Sequence, residues 1–217
     1  MALGLNYESA TGGDIIPVCK YNAKAGRWAR VDRENNTNEE VDITRTFKAV
    51  FDLENVQTGW ISFVAGQAPD FDVVTYPDTH PQRTAPTANH KSGVRILVKL
   101  GKECGGDVRE IASVSKAFLR GMDELHDAYL AGVKANPGKL PVVIMSETIP
   151  IVSEGKGQKS TNYCPKFEIV QWAPRPVDLE AQPRPAASAG RPANTPPSTG
   201  STKATPPANT ADDDEFG

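Results

Sequence analysis

Cysteine and histidine are both scarce in this chain, three of each among 217 residues. Cys19, Cys104 and Cys164 are odd in number and widely spaced, which argues against a disulfide framework and points to a reducing cytoplasm. There is no C-x-x-C pair, and the cysteines lie far from His80, His90 and His126 in sequence. No metal-site pattern is present, so neither a metal nor a cofactor is expected. Long apolar runs are missing too. The best, 140–152, is interrupted by Pro141, Ser146, Glu147 and Pro150, so no membrane span is expected. The opening MALGLNYESATGG has no basic region followed by an apolar one, so no signal peptide is expected. An excess of bases is absent, the formal net charge being -3. A nucleic-acid site would therefore have to be a local basic stripe. No local Ser-His-Asp or Cys-His signature occurs. Gly155-Lys156-Gly157-Gln158-Lys159-Ser160 departs from a phosphate-binding loop because Gln158 precedes Lys159 and a strand follows. A non-enzymatic protein is the expectation.

What is present is mostly strand pattern. Residues 14–21 and 27–33 read as strands around the turn Asn22 to Gly26. In the second, Trp28 and Arg30 alternate with Ala29 and Val31, which predicts Trp28 on the face opposite the small apolar residues. Residues 34–40 read as a polar loop. Residues 41–53 read as one long strand with Val41, Ile43, Phe47, Ala49, Phe51 and Leu53 on one face. A strand that long curves or bulges, as barrel strands do. Strands follow at 60–64 and 71–76, then a proline-containing surface loop from Pro77 to Ser92, then a strand from Val94 to Leu100. A helix is predicted from Asp107, with Glu110 completing a capping box. Its apolar stripe is Ile111, Val114, Phe118, Met122, Leu125 and Tyr129, and Asn136-Pro137-Gly138 ends it. Two more strands, 140–152 and 166–172, flank the Gly/Lys loop 153–160.

This order predicts a mainly β (α+β) body over residues 1–173. It fits an OB-type five-stranded Greek-key barrel with one long helix between strands 3 and 4, and with 70–92 as an insertion. Residues 174–217 form a second region. From Pro174 to Ala211 the chain is Pro-, Ala- and Thr-rich and holds half of the eighteen prolines. Such a segment has too little apolar surface to offset its ordering entropy, so it is expected to be a disordered, fairly extended tether. Its tip, Asp212, Asp213, Asp214, Glu215 and Phe216, is a block of acids with one aromatic anchor.

An acidic tip with a Phe, on a flexible tether behind a mostly β body, resembles the single-stranded DNA-binding proteins, above all those that phages encode for replication. In that family the Phe is usually the final residue; here Gly217 follows it. The resemblance implies a protein that coats single-stranded DNA in the host cytoplasm. It also implies that the tip recruits replication proteins (a polymerase, a helicase-primase or a recombinase). Homo-oligomerisation is compatible with this reading.

Single-strand binders combine bases that hold phosphates with aromatics on which nucleobases stack. The candidate contacts are Tyr21, Arg27, Trp28, Arg30, Lys48, Trp60, Lys99, Lys156, Lys159 and Lys166, with Arg95 weaker. Two other classes stay open: a virion-structural or assembly protein, and a metal-dependent nuclease or recombination enzyme using Asp70, Asp72 and Asp78.

Overall fold

A computed structural model of the chain describes residues 16–34, 37–155 and 158–181. Lys156 and the acidic tip 212–216 lie outside the described residues. The fold is mainly β: the described residues form ten strands in a single mixed sheet and one long helix, α1 (Lys116–Val133), followed by the short α2 (Val177–Ala181).

β1 (Val18–Asn22) and β2 (Arg27–Glu34) form the first hairpin. Asn22 makes its turn: its side-chain oxygen accepts from the backbone N–H of Lys24 and Ala25, and Gly26 supplies a positive φ of 65°. β3 (Thr37–Asp42) pairs with β2, so part of the expected polar loop 34–40 is a strand. Its side chains are nearly all exposed, which is why apolar periodicity did not reveal it.

The expected long strand 41–53 is broken. Asp42 accepts from the backbone N–H of Thr44 at 2.8 Å, and the turn 44–46 leads into β4 (Lys48–Phe51). The inward set survives the break: Ile43, Phe47, Ala49, Phe51 and Leu53 are all buried. β5 (Gln57–Ser62) and β6 (Asp70–Thr75) form the next hairpin. β7 (His90–Leu100) buries Val94, Ile96, Val98 and Leu100 and turns Lys91, Arg95, Leu97 and Lys99 outward.

The helix starts later than its capping box suggests. Val108–Ser113 is β8, antiparallel to β7, and Ser115 is the residue before the first turn of α1. Ile111 points into the core from a strand, whereas Phe118, Met122, Leu125 and Tyr129 do so from the helix. A buried strand and a helix can supply the same spacing over a short stretch, and here the strand won. β9 (Lys139–Gly155) and β10 (Gln158–Pro174) form a long hairpin in which most of the expected Gly/Lys loop is strand.

Along the sheet the strands run β10-β9-β4-β7-β8-β1-β2-β3, with β5 paired to β7 and β6. The sheet is open, not closed by a ladder as a five-stranded barrel would be. A clasp nevertheless ties the end strand β10 to the first hairpin: the Tyr163 N–H of β10 donates to the Ala23 carbonyl in the β1–β2 turn at 2.6 Å. Tyr21 adds its hydroxyl, which donates to the Tyr163 carbonyl at 3.0 Å. The first hairpin joins β8 through a single parallel pair, Val18 opposite Glu110. Arg109 reinforces this join. It is 5% exposed, donates to the Val31 carbonyl at 2.8 Å, and pairs with Asp32 and Asp107. Burial alone would lower its pKa, but the hydrogen bonds it donates to those carboxylates carry it above the ordinary value.

The core lies between α1 and the inner face of the sheet. Trp28 stacks on Phe47, with ring centroids 4.1 Å apart and planes 7° from parallel, and Phe118 meets its edge. Gly121 lets α1 approach β10; a Cβ there would lie 2.4 Å from the Pro165 carbonyl.

Candidate nucleic-acid interface

The outward face of β7 and β8 carries the most suitable surface. A cleft of about 660 Å³ opens there between β1, the mouth of the β5–β6 hairpin and the end of β8. Three aromatic side chains line it: Tyr21, Phe63 and Phe71. Phe63 is 49% exposed and meets Phe71 edge-on, with centroids 6.3 Å apart. Apolar ring surface left open in this way is available to a flat partner. Lys20 and Lys91 flank the rings, and both are exposed. Lys20 pairs with Glu40 at 3.2 Å across solvent, a contact that competes weakly with another anion. Lys91 has no ion-pair partner among the described residues.

Arg95 holds one of the rings in place. Its guanidinium lies 4.2 Å from the Phe71 ring centroid and donates to the Glu110 carboxylate at 2.8 and 2.5 Å. Glu110 also lines the cleft, and its carboxylate, nearly buried, is offset by the paired guanidinium of Arg95.

The residues singled out from sequence are scattered. Tyr21 lines the cleft, with its pKa raised by burial. Trp28 is fully buried in the core, not on the outer face expected from its alternation with Ala29 and Val31. Arg27 is exposed beside Asp42 at 3.6 Å, and Arg30 is half-buried beside Asp32 at 3.0 Å. Trp60 is half-buried, and its indole N–H donates to the Gln82 carbonyl at 2.9 Å, fixing the loop after β6. Lys48 is exposed on β4, and Lys99 pairs with Asp178 of α2. Lys166 pairs with Glu147 at 2.7 Å, which raises its pKa through the hydrogen bond. Lys159 is exposed on β10.

Two of the three acids suggested for a nuclease, Asp70 and Asp72, are engaged singly. Asp72 meets His80 at 3.1 Å and Asp70 meets His90 at 3.3 Å. Among the described residues no three His, Cys, Asp or Glu side chains group as metal ligands. No helix among them is long and apolar enough to cross a membrane.

Sequence reasoning missed Phe63, Phe71 and Lys91 as a group. Phe63 shares strand parity with Ile61, which is buried, so it reads as core. The available signal was the turn-forming segment 65–70, with Gly66 and Pro69, between the two phenylalanines: a hairpin mouth that short leaves both rings near solvent. Comparisons with protein-family models, curated proteins and solved structures find no match.

Proposed function

We propose that the protein is a non-enzymatic, sequence-tolerant single-stranded DNA-binding protein of phage replication. The observation that carries this reading is the cleft in which exposed Phe63 and braced Phe71 stand between Lys20 and Lys91. Rings accept any base by stacking, and lysines take the phosphates without reading sequence. Strand order supports it. Within the sheet, β10-β9-β4-β7-β8 follow the order 5-4-1-2-3 of an OB-type core, with α1 between its third and fourth strands. In OB folds the oligonucleotide lies on strands 2 and 3 and the loops joining strands 1–2 and 4–5. Here those strands are β7 and β8, the cleft lies on their outer face, and the β5–β6 excursion is the 1–2 loop. The tether and its acidic tip, ending in Phe216, then serve to recruit a polymerase, helicase-primase or recombinase.

Anisotropy of dye-labelled dT oligonucleotides, measured at several salt concentrations and against duplex of equal length, tests the reading. Binding should favour the single strand, with log K falling by about 0.7 per phosphate contact as log salt rises. Absence of binding at low salt overturns the reading and favours a virion-structural or assembly protein.

A further inference from the structure

We propose that the nucleic-acid surface continues from the cleft to a part of the sheet now covered by α2, and that α2 is a strap which a long single strand displaces. The inference rests on the function proposed for the cleft. Lys91, Arg95, Leu97 and Lys99 point outward along one face of β7. The cleft takes the Lys91 end. α2 covers the other end: Leu179, 3% exposed, packs on Val108 and Leu140, with Val50 and Leu97 beside them. Asp178 supplies a carboxylate to Lys99. A carboxylate on an outward lysine in line with a phosphate-binding cleft occupies the position a further phosphate would take, with the same charge and the same acceptor oxygens. Beyond it on β4, exposed Lys48 continues the line, next but one to Val50, which pairs with Lys99.

The strap has a fixed root and a light hold. Arg175, just before α2, donates two hydrogen bonds of 2.8 Å to Asp52 and one to Glu54. Past that root, the described side chains that hold α2 are Leu179 and Asp178, while Val177 is 81% exposed. The root stays as the helix swings away, so the strap can return when the strand leaves.

The test uses the full chain and two dT probes, of about six and about twenty residues, lengths that bracket the cleft and the extended track. A strap open about one tenth of the time lowers apparent affinity about tenfold. Leu179→Asn should therefore bind the long probe about tenfold more tightly than the parent and the short probe equally well. Equal or weaker long-probe binding by Leu179→Asn overturns the strap. Hydrogen exchange on the unmodified protein gives a second readout: amides 177–181 should exchange faster when saturated with the long probe and not with the short one. Unchanged exchange at saturation overturns the strap as well. If neither probe binds the unmodified protein, the cleft reading itself fails, a result seen before any variant is made.

Discussion

Two aromatic residues show how burial decides role. Phe63 and Trp28 both sit on strand patterns, yet one is 49% exposed and the other is sealed against Phe47. Phe63→Ala should weaken dT binding about 5- to 150-fold, since each stacked base is worth roughly 1–3 kcal/mol, while leaving the melting temperature nearly unchanged. Anisotropy and a thermal melt on the same sample check both halves. Trp28→Ala should do the reverse. Emptying a closed core site costs about 3–5 kcal/mol, which urea unfolding measures. At this scale the sequence was misleading at Trp28. Alternation with Ala29 and Val31 identifies two faces but not which is inner, and Arg30 behind it suggested the outer one. In the structure Arg30 is tucked beside Asp32, half-buried, so a base on that face was no sign of solvent.

At the scale of elements, what could be read from sequence depended on whether a pattern was local. The turn at Asn22–Gly26, the outward-inward alternation of β7 and the α1 stripe from Phe118 to Tyr129 follow from short-range chemistry. The start of α1 did not, because Ile111 satisfies helix spacing from a strand. β3 was hidden because its exposed side chains carry no apolar period, and the cleft because it joins β1, β6 and β8, which are distant in sequence. The contact of α1 with β10 depends on Gly121, where no side chain intervenes before the Pro165 carbonyl. Gly121→Val forces the two elements apart. Overpacking of this kind costs about 1–3 kcal/mol, and the expected outcome is a lower urea midpoint with an unchanged slope. A midpoint equal to the parent's would show that α1 does not bear on β10 there.

For the molecule as a whole, two buried thiols, Cys19 and Cys164, couple stability to alkaline pH. Burial pushes Cys19 up from 9.0 to about 12, with Arg109 opposing and Cys104 and Asp107 adding to the rise. Burial raises Cys164 as well. A thiol whose folded pKa lies above its unfolded one holds its proton more tightly when folded. Its contribution is fully present below about pH 9 and declines as pH rises toward about 12. Unfolding free energy should fall between about pH 8 and about pH 10.5, and Cys19→Ala should flatten part of that fall. Urea titrations at the two values check it, and an identical decline in the variant would remove Cys19 from the account.

The separation of the three indoles has an optical consequence. Trp28 lies stacked in the core, Trp60 on the face of β5 that holds the Gln82 loop, and Trp172 stacks on Tyr129 of α1. None of them lines the cleft. Intrinsic emission should therefore report denaturation strongly and remain nearly silent when a short oligonucleotide fills the cleft. Replacing Phe63 with tryptophan would place a reporter at the mouth of the cleft, where quenching by a stacked base would give a direct optical signal of occupancy.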